Sequence, residues 1–345
     1  MRILHTIQGL GVGGAERVVV TLAHAAAERG DRVAIAAQDG VLAAELPPGT
    51  ERFDVPLIER RRRKVLAAVR AVDTALRRFK PDVIHAHNPA VGLATGLAAL
   101  RGRRAPGIVS VHGVPDEDYE HAAGALRYSG LPVVACGPGI AQGLMETGLS
   151  VHASVPNGVG PAPTPADRTG LGVEGRLLVT VGRLSPAKNQ VLAVRALAHV
   201  PDATLLLVGD GPERPVVEAA ARALGERVVF TGTRLDARAI AGAADVVVIP
   251  SASEGLPLAA LEALAASRPI VATAVRGLRE LLEDGRTALL VPPGDAEALA
   301  AAVRRVLDDP ELARSLGEAG LQEAARYTED GMVEAYFRLY AEVGR

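Results

Sequence analysis

Short apolar runs alternate with longer amphipathic stretches along this chain, and the alternation runs through twice. In the first half, Arg2–Ile7, Arg32–Ala37, Glu51–Val55, Val83–Ala86, Ile108–His112 and Val133–Ala135 read as strands. Helical patterns fill the gaps, as in Glu16–Arg29 and Val65–Phe79. In the second of these, Val65, Val69, Val72, Leu76 and Phe79 fall on one face. Strands alternating with helices predict parallel sheets covered on both faces. Around Val155–Asp167 the pattern lapses. Pro156, Pro161, Pro163 and Pro165 crowd together there with Gly158 and Gly160, as in an inter-domain linker. The alternation then resumes with strands at Leu177–Val181, Thr204–Val208, Val228–Phe230, Val246–Ile249, Ile270–Ala272 and Ala288–Val291. Helices are predicted at Gln190–Ala198, Pro215–Leu224, Arg238–Ala243, Leu256–Ala266 and Glu297–Leu307. The expected organisation is an α/β chain of two Rossmann-like domains, 1–157 and 169–327, with a linker over 158–168. Residues 328–345 form a terminal helix that needs a surface to cover. Four of the nine aromatic residues (Tyr327, Tyr336, Phe337, Tyr340) lie near that end.

Composition narrows the function. With 345 residues, two cores of ordinary size can be buried. Hydrophobic residues make up 48 % but aromatics only 3 %, so both cores must be aliphatic. The net charge of −2 gives no basic field of the kind nucleic-acid binders use, and no nucleic acid is expected as a partner. The one cysteine, Cys136, cannot form an intrachain disulfide. No run of 18 apolar residues is present, and the chain reads as a strand from its first residues with no leader ahead of it. A cytoplasmic protein is expected. Only Lys64, Lys80 and Lys188 are lysines among 38 basic residues, so a lysine at a chemically demanding position stands out.

Five segments could carry chemistry. Gly9-Leu10-Gly11-Val12-Gly13-Gly14 lies between the first strand and the first helix, where glycines let backbone amides approach an anion. Its spacing satisfies the dinucleotide fingerprint, and Asp39 follows the second strand, so a nicotinamide cofactor stays open beside a plain tight turn. Gly182-Arg183-Leu184-Ser185-Pro186-Ala187-Lys188-Asn189 follows a strong strand. Two cations five residues apart on one loop suit a diphosphate, although a solvated loop would look the same. Pro250-Ser251-Ala252-Ser253-Glu254-Gly255-Leu256-Pro257 leads into a predicted helix, with Glu262 about two turns in, about 9 Å beyond Leu256 at roughly 1.5 Å per residue. His112 ends a strand at the sheet edge where open α/β folds bind ligands. His85 and His87 alternate along another strand, but the sequence offers no third ligand beside them, and no metal site is expected. Finally, Arg60-Arg61-Arg62-Arg63-Lys64 opens a helix. It is either a solvated face or a patch for an anionic acceptor or an anionic membrane surface.

Taken in order, these segments resemble the retaining family 4 glycosyltransferases of GT-B fold. The matching pieces are Gly13-Gly14-Ala15-Glu16-Arg17, Pro156-Asn157-Gly158-Val159, Gly182-Arg183…Lys188-Asn189 and Leu207-Val208-Gly209-Asp210-Gly211-Pro212. Val229-Phe230-Thr231-Gly232, the Glu254…Glu262 pair and Leu290-Val291-Pro292-Pro293-Gly294-Asp295 complete the set. The resemblance implies two domains facing across a cleft, acceptor bound by the first and donor by the second, with the last helix crossing back to the first. It implies transfer of a hexosyl group from a UDP- or GDP-sugar to a hydroxyl acceptor, with retention and with no metal or other cofactor. Arg183 and Lys188 would neutralise the diphosphate. Glu254 would contact sugar hydroxyls and Glu262 the ribose. Backbone at Gly182, Gly255 and Leu256 would hold phosphate and sugar, and Gly232, Thr233 and Arg234 the base. Gly13 and Gly14 would face the donor, and His112 the sugar and acceptor. One departure stands out: Val275-Arg276-Gly277 carries Arg276 where the family often has a second glycine. The competing readings are an NAD(P)-dependent oxidoreductase and a non-catalytic sugar-nucleotide binder.

Overall fold

The computed structural model describes all residues except 59–61, 102–104, 174 and 345, together with the side chains of Arg62 and Asp116. It divides into an N-terminal unit, Met1–Asn157 with Glu329–Arg345, and a C-terminal unit, Gly158–Thr328. In chain order the N-terminal unit runs β1 (Arg2–Gly9), α1 (Gly14–Glu28), β2 (Arg32–Gln38), β3 (Glu51–Asp54), α2 (Arg62–Phe79), β4 (Val83–His87) and α3 (Pro89–Arg101). It continues through β5 (Gly107–Val111), α4 (Tyr119–Ser129), β6 (Val133–Ala135), α5 (Pro138–Glu146) and β7 (Ala153–Ser154). Its strands pair in parallel in the order β3-β2-β1-β4-β5-β6-β7.

The C-terminal unit begins β8 (Arg176–Val181), α6 (Gln190–Leu197), β9 (Ala203–Val208), α7 (Arg214–Ala221), β10 (Val228–Gly232), α8 (Ala237–Gly242) and β11 (Val246–Ile249). It ends α9 (Leu258–Ala265), β12 (Ile270–Thr273), α10 (Arg276–Leu281), β13 (Leu289–Val291), α11 (Ala296–Asp308) and α12 (Pro310–Ala324). Its parallel sheet has the order β10-β9-β8-β11-β12-β13. Both units are therefore doubly wound. Each reverses its winding at one switch point, between β1 and β4 and between β8 and β11. Open sheets of this kind bind ligands outside the strand carboxyl ends at that point.

The aliphatic composition packs as expected. Leu178, Leu205, Leu207, Val246, Val248 and Val271 of the second sheet are buried under Leu192, Val217, Leu299 and Val303 from its helices. Asp295 and Asp309 cap α11 and α12 by accepting from the amides of Ala298 and Leu312 at 2.8 and 3.0 Å. The segment expected as a linker has little regular structure but is tied to the C-terminal unit, with the Val159 amide on the Tyr327 carbonyl and the Ala166 amide on Ala239, both at 2.8 Å. The last helix, α13 (Glu329–Val343), belongs to the N-terminal unit. It buries Met332, Val333, Tyr336, Phe337 and Tyr340 there. Among the described residues, no helix is long and apolar enough to cross a membrane.

Candidate functional site

Four loops of the C-terminal unit meet at the carboxyl edge of its sheet. After β8 the chain turns at Gly182, whose φ of 149° lies in the region glycine favours. The Gly182 amide donates to the Val208 carbonyl, the Gly209 amide to Gly232, and the Leu184 amide to Asp210, which stitches the loops after β8, β9 and β10 together. The approach is close: a Cβ on Gly209 would overlap the Gly182 carbonyl, and one on Gly211 the Leu184 carbonyl. Buried Gln190 donates to the Arg183 carbonyl at 3.0 Å and sets the loop from beneath, leaving the Arg183 side chain exposed. Across the switch point, the amides of Ala252 and Ser253 donate to the Ala187 carbonyl at 2.8 and 3.3 Å.

That last contact places Lys188 against Glu254. The Lys188 Nζ donates to both Glu254 carboxylate oxygens at 2.7 Å. Ser251 Oγ donates to Glu254 Oε1 at 2.6 Å, and Thr273 Oγ1 at the end of β12 donates to the Ser251 carbonyl at 2.6 Å. The Glu254 side chain is 6 % exposed, against 30 % for Lys188. The sequence placed these two residues on one ligand separately. The structure pairs them directly, gives Ser251 of the same motif a bond to Glu254, and adds Thr273 and Gln190, which the motifs did not include.

Helix α9 begins at Leu258, with Pro257 as its cap rather than in its first turn. Gly255 and Leu256 thus lie in the loop ahead of the helix, and Glu262 stands about one turn in rather than two. Glu262 forms an ion pair with Arg238 Nε at 3.7 Å, and Arg238 also donates to the carbonyls of Gly160 and Pro161. Gly232 has φ of 67° at the end of β10. Beyond it Thr233 is exposed, and Arg234 is held by Asp236 at 2.7 and 2.6 Å. Arg276 opens α10, where Gly277 abuts the Glu254–Gly255 backbone so closely that a Cβ would overlap the Gly255 carbonyl oxygen. Gly277→Ala is accordingly expected to destabilise the C-terminal unit by about 3 kcal/mol, because the obstacle is backbone and cannot rotate away. A melting temperature within 2 °C of the parent, on the scale of roughly 2–4 °C per kcal/mol for a domain this size, would contradict that packing.

In the N-terminal unit the first glycine turn has Gly13 at the start of α1, with the Glu16 carboxylate lying against it and Gly14 exposed. Asp39, the residue a ribose would require, is exposed, and its Oδ1 accepts from Arg52 at 2.5 Å and from the Gly40 amide. His112 lies one residue beyond β5, not within it. Its amide donates to Asn88 Oδ1 at 3.2 Å, and its Nε2 is 3.0 Å from His87 Nδ1. Arg61 and the Arg62 side chain fall outside the described residues, while Arg63 is exposed in the first turn of α2. An open depression at the opposite edge of the second sheet is lined by Arg168, Arg176, Asp245 and Arg314. These arginines pair with Asp245, Asp308 and Glu318, and Arg268, which also lines the depression, donates to the carbonyls of Ala266 and Ala244.

Comparison with known proteins decides the family. The pattern of glycosyl transferases group 1 matches residues 175–309, and that of glycosyltransferase family 4 matches residues 12–135. The lipopolysaccharide core biosynthesis glycosyltransferase LpsD of Rhizobium meliloti is 31 % identical over 99 % of this chain and 98 % of its own. The chain belongs to glycosyltransferase family 4. This family 4 enzyme is also 27 % identical to the putative glycosyltransferase EpsD of Bacillus subtilis, over 86 % of each chain. It has the GT-B fold. Sucrose-phosphate synthase from Thermosynechococcus elongatus superposes with a TM-score of 0.86 over 99 % of this chain and 98 % of that one, at 23 % identity. Anabaena HepE in complex with UDP and glucose does so at 0.85 over 99 % and 100 %, at 22 % identity.

Proposed function

We propose that this glycosyltransferase takes a sugar from a UDP- or GDP-sugar and transfers it to a hydroxyl acceptor with retention of configuration. The donor is assigned to the C-terminal unit and the acceptor to the N-terminal unit. The observation that carries this reading is the pairing of Lys188 with Glu254 at the β8–β11 switch point, beside the exposed Arg183. Bond breaking leaves negative charge on the departing diphosphate, and stabilising donors act where that charge develops. Arg183, exposed, and Lys188, paired with Glu254, are the two cations assigned to that charge. Glu254, held by Lys188 and Ser251, offers acceptor oxygens to sugar hydroxyls. Gly255 and Leu256 offer backbone amides, and Glu262 takes the ribose. Gly182 and the segment Gly232–Arg234 flank phosphate and base. The acceptor oxygen attacks on the face the diphosphate leaves, and its proton passes to the departing phosphate. Solved HepE complexes with UDP and with UDP-glucose support a nucleotide-sugar donor for this fold.

A thermal-shift screen with UDP-, GDP- and ADP-sugars, followed by mass spectrometry of products, tests the assignment. NADH stabilising the protein while every sugar nucleotide is silent would reverse it. Glu262→Ala should weaken UDP or GDP binding about 10-fold, the worth of roughly one charge-assisted hydrogen bond. Unchanged affinity in calorimetry would remove Glu262 from the ribose.

A further inference from the structure

The basic run that opens α2 has no part in the donor site, and its surroundings extend beyond it. Helix α2 carries six basic residues and one acidic residue, Asp73. Its neighbour α3 carries Arg101 and no acid. Together the two helices hold a charge of +6 in a chain whose net charge is −2, so the rest of the chain carries −8. Both helices pack over one core. Val69, Val72 and Leu76 of α2 are buried there with Ala94 and Ala98 of α3, against Leu4 and Ile84 of the sheet. Their outer sides therefore form one continuous face.

Helical period fixes what that face presents. By their spacing Arg63, Leu66, Ala67, Arg70, Thr74 and Arg77 fall on one side of α2, and all are exposed. Asp73 pairs with Arg77 at 3.0 Å, while Arg63 and Arg70 have no acidic partner among the described residues. The charge does not serve the helix itself. Arg63 and Lys64 stand in its first turn, where the dipole disfavours cations. An ordinary solvated face intersperses both signs. Nor is this face simply polar. Leu57, on the loop into α2, is 40 % exposed, Leu66 is 46 % and Leu100 is 60 %. Leu93 and Leu97 stand half-buried on the same side of α3 as Leu100.

We propose that the outer side of α2 and α3 is a docking surface for an anionic lipid bilayer. The arginines meet the headgroups, and Leu57, Leu66 and Leu100 enter the interface between headgroups and acyl chains. A polyanion such as RNA would use the arginines but leave the leucines in water. A free phosphate would need the cations gathered into a pocket. A bilayer uses both features at once, because stable peripheral binding takes a basic patch and an apolar anchor together. The apolar side of α2 is already buried in the core, so the helix stays on the sheet and docks without inserting. Basic side chains act on an anionic surface within a Debye length, about 10 Å at 0.1 M salt and about 3 Å at 1 M, so binding must fall steeply as salt rises. The face lies on the unit assigned to the acceptor; its affinity for lipid is independent of that assignment.

Sedimentation of the full chain with vesicles tests this. At about 50 mM salt, phosphatidylcholine vesicles containing phosphatidylglycerol should bind the protein at least tenfold more tightly than phosphatidylcholine alone, and raising salt to about 500 mM should remove most of that difference. Arg63→Glu with Arg70→Glu should weaken binding to the anionic vesicles at least tenfold, and Leu66→Ser with Leu100→Ser at least threefold. All four side chains are exposed, so both variants should melt within about 2 °C of the parent. Should a variant not fold, the lipid and salt dependence of the parent still decides. Equal binding to neutral and anionic vesicles, or either folded variant binding as the parent does, overturns the proposal. Displacement from the vesicles by soluble sn-glycerol 3-phosphate would mark a pocket for a free phosphate and overturn it too. RNA held as tightly as the anionic vesicles would mark a nucleic-acid surface, with the same consequence.

Discussion

Acidification from pH 7 to pH 5 will destabilise the N-terminal unit by several kcal/mol more than the C-terminal unit. The cause is the buried histidine chain. Burial lowers His5 to about 3 and His112 to about 4, and burial with mutual repulsion lowers His85 and His87 well below the ordinary value of 6.5. The direction follows from proton uptake. Below pH 6.5 the unfolded chain binds protons that the folded chain refuses, so stability is complete above 6.5 and is lost as pH falls toward the folded values. Each such histidine costs about 1.4 kcal/mol per pH unit in that window. Between pH 6.5 and 5 the total is roughly 4 kcal/mol for His5 and His112, with His85 and His87 adding in the same direction, against a total stability of roughly 5–15 kcal/mol for a domain. The C-terminal unit has no such load. Its lowered groups, Asp210 and Asp236, are carboxylates whose bonds to Gly211, Arg214 and Arg234 persist until pH falls below 3.8. Four of the five tyrosines (Tyr119, Tyr128, Tyr336, Tyr340) lie in the N-terminal unit, so near-ultraviolet circular dichroism reports on it selectively. Thermal melts at pH 7 and pH 5 that superpose in this signal would contradict the claim.

The same four histidines mark where reading from sequence stopped. Strand and helix alternation placed every strand but the short β7, because apolar runs bounded by turns announce themselves locally. The edges shifted where a proline or glycine admitted two readings, as at Pro257, which precedes α9 instead of opening it. The loop pairing Lys188 with Glu254 was legible as two charged motifs. Their mutual ion pair was not, since it depends on β8 and β11 being neighbours across the switch point. His85 and His87 were visible as alternate strand residues, and the missing third ring was His5, eighty residues earlier. A signal existed. Doubly wound topology places β1 beside β4, and their parallel register puts His5 level with His85. What no local pattern contained was the contribution of α13, whose Tyr340 and Tyr336 reach His85 and Ser110.

Lys188→Ala will separate stability from catalysis in the C-terminal unit. Lys188 is the partner of a carboxylate that is almost wholly buried, and removing one member of such a pair leaves an uncompensated charge at a cost of about 3 kcal/mol or more. Ser251 still donates to Glu254, which keeps the loss near the lower end. Adding Glu254→Gln removes the stranded charge, so the double variant should regain most of the lost stability. Activity will not follow. If Lys188 meets the charge that develops on the departing diphosphate, its absence costs roughly 10²–10³ in kcat, as loss of one well-placed transition-state donor does. Neutralising Glu254 puts no cation back. A merely structural Lys188 predicts the opposite pattern: the double variant turns over as fast as Glu254→Gln alone, which lacks only the carboxylate assigned to the sugar. Denaturant melts and single-turnover rates on the parent, the two single variants and the double variant distinguish the cases. Lys188→Ala within fivefold of the parent rate, or the double variant matching Glu254→Gln, would leave the diphosphate without its assigned counter-charge.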